Sequence, residues 1–262
     1  MTTTEHEFID AIRHAVEGGG KRLRPILAML AYEQSTGEKC PESFIDACIG
    51  LEFIHCYTLV HDDLPCMDND ELRRGKPTVW KKYGETMAVL VGDALQTMAF
   101  EELAKLRNID VITKFAESLG HKGVVLGQIK DTLELQSDYT VEDIMRVHDA
   151  KTGGFIATCL VIGALVGGAT QEKIDQFERF GILLGRAFQV RDDILDVEGD
   201  ITKLGKSIGK DIDQNKGLIK HFGLDQTRKI LEELSSELDD CLKNWNNEKL
   251  SQVKEYVINR EY

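Results

Sequence analysis

Proline is confined to the first third of this 262-residue chain: the four prolines stand at 25, 41, 65 and 77, and none follows. A proline inside a helix removes a backbone N–H and clashes with the turn before it. The remainder of the chain is therefore open to long, unbroken helices. The apolar residues agree with that reading. Phe8-Ile12-Ala15-Val16, Ile45-Cys48-Ile49-Phe53 and Phe177-Phe180-Leu183-Leu184-Ala187-Phe188 recur at the spacing of one buried helix face, and no run alternates as a strand would. With no internal repeat and no low-complexity linker, the pattern predicts an all-α, single-domain bundle of long helices over residues 1–262.

Breaks in the pattern place the helix ends. Gly18-Gly19-Gly20 ends a first helix, and Pro25 fits the first turn of the next. Pro65 should end or bend the helix that precedes it. The stretch from Gly199 to Gly217, with lysines at 203, 206, 210 and 216, reads as a polar surface loop. The apolar run Phe155 to Ala169 is too short to cross a bilayer and reads as a buried helix, so no transmembrane segment is expected.

Bulk composition narrows the function. A net charge of −13 excludes the basic stripe that a nucleic-acid surface needs. The cysteines at 40, 48, 56, 66, 159 and 241 form no C-x-x-C pair and no zinc spacing, and the N-terminus carries no signal-peptide core. A reduced, cytoplasmic setting is the expectation.

Two aspartate patches stand out, 130 positions apart. The first reads His61-Asp62-Asp63-Leu64-Pro65-Cys66-Met67-Asp68, the second Asp192-Asp193-Ile194-Leu195-Asp196. Like charges packed this tightly penalise a bare helix, and oxygen-only donor sets suit Mg²⁺, which tends to arrive with phosphates. Gly185, Gln189, Asp192 and Asp196 form one stripe along a helix, with Asp193 at its flank. Glycine at 181 and 185 leaves room for a ligand or another backbone. In the first patch Asp68 lies beyond Pro65, so a bend must return it towards Asp62 and Asp63. Arg73, Arg74 and Lys76 follow at once, which suits a metal–diphosphate complex. Lys21 and Arg24, three apart after the glycine turn, make a second anion site.

Two superficial matches fail. Gly205-Lys206-Ser207 has Asp200 where a P-loop needs glycine, and no strand precedes it. Glu52-Phe53-Ile54-His55 matches one Glu-x-x-His of a di-iron bundle, but the required second copy is missing.

The segments His61–Thr78, Gly18–Pro25, Gly92–Glu101, Lys151–Ile156, Phe188–Asp200 and Leu204–Gly217 together strongly resemble the trans-isoprenyl diphosphate synthases, the bacterial farnesyl and the bacterial or plant geranylgeranyl enzymes above all. The resemblance runs from about residue 8 to the C-terminus. It implies long, mostly antiparallel helices around a deep central cavity, a homodimer, and condensation of isopentenyl diphosphate with an allylic diphosphate. By resemblance, Asp62, Asp63, Asp68, Asp192, Asp193 and Asp196 bind several Mg²⁺ ions, with Mn²⁺ as an alternative. Arg73, Lys151, Lys206 and Lys216 help to grip the allylic diphosphate. Lys21, Arg24, His55 and Arg74 hold isopentenyl diphosphate, and Thr152 and Gln189 line the reacting carbons. Gln128 and Asp131 supply supporting hydrogen bonds. The implied reaction ionises the allylic C–O bond, adds isopentenyl diphosphate to the resulting cation, and passes the released proton to the departing diphosphate.

The sequence also departs from the family pattern. Only 17 residues precede Gly18, which is a shortened N-terminal region; Leu126 replaces a common glycine; Asn69 stands at a common aspartate; and Gly217-Leu218-Ile219-Lys220 follows Lys216 in place of the usual run. Product length should depend on what lies below the first patch. Tyr57, five residues before Asp62 and next to Thr58, sits about 7.5 Å deeper along the axis. A ring there would floor the cavity and give C15 farnesyl diphosphate; C20 geranylgeranyl diphosphate is the alternative. A non-catalytic subunit of a synthase is the rival from another class, and the retention of all six aspartates speaks against it.

Overall fold

A computed structural model of the chain describes residues 2–133, 139–198 and 217–260. Among these residues the fold is helical: α1 Thr3–Glu17, α2 Leu23–Thr36, α3 Glu42–Ala47, α4 Ile49–Asp62, α5 Val79–Tyr83, α6 Glu85–Ala104, α7 Ile109–Leu119, α8 Val124–Leu133, α9 Val141–His148, α10 Gly154–Val166, α11 Gln171–Glu198, α12 Gly217–Phe222, α13 Leu224–Leu242 and α14 Glu248–Asn259. A π-helical turn, Asp149–Gly153, links α9 to α10. The all-α expectation holds, and α1 ends at the glycine triplet as predicted. Of the predicted loop Gly199–Gly217, residues 199–216 lie outside the described residues, and Gly217 opens α12.

One small element escaped the sequence pattern. Leu72–Arg73 (β1) pairs antiparallel with Lys76–Pro77 (β2). Arg74 and Gly75, both with positive φ (54° and 74°), make the tight turn that such a hairpin requires. Two residues per strand are too few to show alternation.

Helix ends are set by local chemistry. Thr2 and Glu5 form a capping box at the start of α1, and Thr140 and Asp143 form one at α9. Asn247 caps α14 through the Leu250 N–H.

The described residues fall into two compact units. The first comprises residues 2–26 and 41–108. Its core gathers Ala11 of α1, Cys56 and Val60 of α4, Leu64, Val79 of α5, and Ala88, Val91 and Leu95 of α6. Gly92 allows α6 to approach His61, whose ring nitrogen lies 3.0 Å from the Val89 carbonyl. The second unit comprises residues 27–40, 109–133, 139–198 and 217–260. There α10 buries every residue from Phe155 to Ala164 against its neighbours. Phe177 and Phe180 of α11 clasp Trp245, with ring centroids at 4.7 and 5.2 Å. Each fully buried Phe or Leu contributes about 2 kcal/mol through the water it excludes.

Two segments, Glu42–Asp62 and Val141–Val166, are long and apolar enough to span a membrane by length and composition. Their most apolar windows are 50% and 67% buried inside the fold, as core helices are.

Candidate active site

In the first unit α4 delivers the first aspartate patch at its C-terminus. The chain then turns at Pro65, and the Asp68 N–H donates to the Asp62 carbonyl at 2.9 Å, so the bend returns Asp68 to the helix end as the spacing required. Asn69 takes a left-handed φ of 52°, which Asn tolerates better than most residues. The Asp70 N–H donates to the Asp63 carbonyl (3.1 Å), and Thr78 and Trp80 donate side-chain hydrogen bonds to the Asp70 carbonyl. This lattice holds the turn in shape. Asp62 and Asp68 stay half-buried, whereas Asp63 is 3% exposed.

Arg73 grips Asp63 in the fork geometry that favours Arg over Lys: Nε lies 2.8 and 3.0 Å from the two carboxylate oxygens and NH2 lies 2.6 Å from Oδ1. Burial pushes the Asp63 carboxyl above the usual carboxylate range, against the hydrogen bonds and charge of Arg73.

The basic residues assigned to isopentenyl diphosphate lie in this unit as well. Arg74 reaches back to the Gly19 carbonyl. Gly20 has φ 124°, and a Cβ there would fall within 3.0 Å of the Arg74 and Arg22 guanidinium groups, so the triplet makes room for two arginines. Arg22, which the motif reading passed over, pairs with buried Glu52 at 2.7 Å and donates to the Val16 and Gly19 carbonyls. Burial, then the charges of Arg24, Arg74, Arg73 and Arg22, hold His55 well below its ordinary pKa. His55 thus lies among guanidinium groups whose positive charge opposes its protonation. Lys21 is exposed and Arg24 half-buried. A cavity of about 40 Å³, lined by His14, Asp63, Arg73, Arg74 and Lys76 among others, has room for a few waters.

In the second unit the stripe lies along α11. A Cβ at Gly185 would fall within 3.0 Å of the Gly153 backbone, and one at Gly181 within 3.0 Å of Ala157. The room those glycines leave is filled by another backbone, the π-helical turn and α10. That turn presents Lys151 and Thr152. Lys151 Nζ pairs with Asp131 at 2.6 Å, and Thr152 Oγ1 donates to Gln189 Oε1 at 3.1 Å. Gly127 of α8 packs against the Lys151 backbone, and the Gln128 amide nitrogen is buried without a partner among the described residues. Arg186 holds Asp149 with two 2.7 Å hydrogen bonds. Asp193 is buried and accepts from the Leu218 N–H at 2.7 Å, and Asp196 is 3% exposed. Asp192 accepts from Arg260 at 2.9 Å. Lys206 and Lys216 lie outside the described residues.

His148, 6% exposed at the end of α9, has no partner for Nδ1 among the described residues, and burial depresses its pKa from 6.5 to about 4. Between those values the unfolded chain binds a proton that the folded chain refuses. Stability therefore falls as pH falls through this window, by up to about 1.4 kcal/mol per pH unit from this group. Urea unfolding at pH 7 and pH 5 should show the loss, and His148→Asn should reduce it; an equal loss in the variant would refute the assignment.

Among the described residues no three His, Cys, Asp or Glu side chains stand preassembled as a metal cage. The donor set nevertheless fits Mg²⁺, which accepts one or two carboxylates and completes its shell with water and substrate phosphates. Asp62 and Asp68 in the first unit, and Asp192 in the second, are half-buried and so open to solvent ions.

An all-α scaffold with two carboxylate motifs, each beside basic side chains, is the construction of an isoprenoid synthase. Residues 5–258 match the family model described as "Polyprenyl synthetase", and the chain belongs to that family. It is a short-chain trans-prenyltransferase. The large subunit 1 of the heterodimeric geranylgeranyl pyrophosphate synthase of Arabidopsis thaliana is 40% identical over 256 residues, covering 92% of this chain and 68% of that protein. The apo structure of an FPP/GFPP synthase from Zymomonas mobilis superposes with a TM-score of 0.81 at 31% identity, over 98% of this chain and 89% of the other. A geranyltransferase from Helicobacter pylori, complexed with magnesium and isoprenyl diphosphate, gives 0.80 at 30% identity, over 95% and 86%.

Proposed function

We propose that this prenyltransferase condenses isopentenyl diphosphate with allylic diphosphates and releases C20 geranylgeranyl diphosphate. The observation that carries the product length is the likeness to plant proteins named as geranylgeranyl synthases, at 37 to 40% identity. The Tyr57 ring packs against the α1/α4/α6 core, edge-on to His61 at 5.0 Å, as a core residue does. Thr58 turns its hydroxyl back onto the His55 carbonyl at 2.9 Å. These contacts are those of a packed residue, and the likeness to the plant geranylgeranyl synthases is what favours C20 over the C15 expectation.

In this reading Asp62, Asp63, Asp68, Asp192, Asp193 and Asp196 would hold Mg²⁺ with the allylic diphosphate, a reading supported by the likeness to a Helicobacter geranyltransferase that binds magnesium and isoprenyl diphosphate. When bound, the metal supplies positive charge that stabilises the leaving diphosphate. Arg73 and Lys151 add fixed cationic charge. Lys21, Arg24, Arg74 and neutral His55 orient isopentenyl diphosphate as donors to its phosphates. The Thr152–Gln189 pair turns amide and hydroxyl dipoles towards the developing cation. The working form is a homodimer in the cytoplasm.

Incubation with dimethylallyl and isopentenyl diphosphates plus Mg²⁺, followed by dephosphorylation, should give geranylgeraniol as the main alcohol. Farnesol as the main product would overturn the C20 reading and restore Tyr57 as the floor, in which case Tyr57→Ala would lengthen the product.

A further inference from the structure

We infer that Arg260 is a positioning residue for Asp192. The inference rests on the proposed role of Asp192 in holding the metal-bound diphosphate. Arg260 follows α14 and is 9% exposed. Its guanidinium carbon lies 3.7 Å from the centroid of the Phe188 ring. NH2 donates to the Phe188 carbonyl and to Asp192 Oδ1, both at 2.9 Å. The Arg260 carbonyl accepts from Arg191 Nε at 2.9 Å, so the backbone is pinned as well as the side chain. Its own Nε is buried without a partner among the described residues, a cost the site tolerates in order to keep the group in place.

These contacts span one turn of α11. The stacked face fixes the plane of the guanidinium, and the carbonyl of Phe188 fixes its rotation. The remaining hydrogen bond then fixes one oxygen of Asp192. A carboxylate so held meets an incoming cation in one orientation, without losing rotamer freedom at that moment. The cation also offsets repulsion among Asp192, Asp193 and Asp196, which share one helix with two of the three buried. A lysine has neither the planar face nor the fork and cannot reproduce the arrangement.

The test compares Arg260→Gln and Arg260→Lys in the wild-type and Asp192→Asn backgrounds. Two quantities are read: the rise in melting temperature produced by Mg²⁺ with inorganic diphosphate, and the Mg²⁺ concentration at half-maximal turnover. Arg260→Gln should raise that concentration about ten-fold and shrink the thermal rise, with KM for isopentenyl diphosphate unchanged. Arg260→Lys should not rescue it, and in Asp192→Asn neither change should add further loss. A lower melting temperature of the unliganded protein, with Mg²⁺ dependence intact, would overturn the inference. So would an undiminished effect in the Asp192→Asn background. If Asp192→Asn alone leaves the Mg²⁺ requirement unchanged, the proposed role of Asp192 falls, and this inference with it. A changed requirement there, with none in Arg260→Gln, removes the inference only. Should Arg260→Gln not fold, Phe188→Leu removes the stacking face alone and carries the same expectation at smaller size.

Discussion

Asp63→Asn is expected to lower kcat by about a thousand-fold, or roughly 4 kcal/mol of transition-state stabilisation, the scale on which a metal-held charge acts. Asparagine keeps the size of the side chain and one carbonyl oxygen for Arg73, which now makes three contacts to the Asp63 carboxylate. The fold should therefore survive and the charge alone be lost. Arg73→Lys should reproduce part of the defect, because an ammonium cannot make the two-point contact. The measurement is single-turnover kinetics at saturating Mg²⁺ alongside circular dichroism. A loss below ten-fold in a folded Asp63→Asn protein would remove Asp63 from the diphosphate grip.

Gly185→Ala is expected to produce a large stability loss for a single added methyl group on α11. The added carbon would meet the backbone of Gly153, which cannot rotate away as a side chain can. Helix α11 and the π-helical turn must then separate, at a cost of about 1–3 kcal/mol. Melting should fall by roughly 2–4 °C for each kcal/mol. Activity should fall with it, because Thr152 next to Gly153 and Gln189 one turn beyond Gly185 share a 3.1 Å hydrogen bond across the same contact. Gly181→Ala, pressed against Ala157, should lose stability in the same way. A Gly185→Ala protein with wild-type melting and turnover would show that the two elements can slide apart freely.

Much of this fold was legible from residue spacing. The 3.6-residue recurrence located α1 and α11, the glycine triplet ended α1, and the apolar run after Phe155 gave the buried α10; the face drawn through Ile45 and Ile49 spans α3 and α4, and both isoleucines are exposed. The two-residue strands were invisible, because their cause is the Arg74-Gly75 turn and not a pattern of side chains. The carboxylate motifs were legible too, since like charges crowded on a helix need a reason. Their partners were not all so. Arg73 lies ten residues from Asp63 and was singled out beside it, but nothing near Asp192 points to Arg260, 68 residues on.

The sequence alone determined that the chain is helical, that its acidic clusters require cations, and that the glycines of α11 admit something close. Each of these follows from local periodicity or local charge, which act within a few residues. Only the tertiary structure decided what that something is: the backbone of Gly153 beside Gly185, Leu218 N–H and Arg260 on the second aspartate motif, and four arginine charges around a neutral His55. Those pairings join residues far apart in the chain, and they form only because burying the apolar helix faces brings the polar groups together and leaves them to find partners.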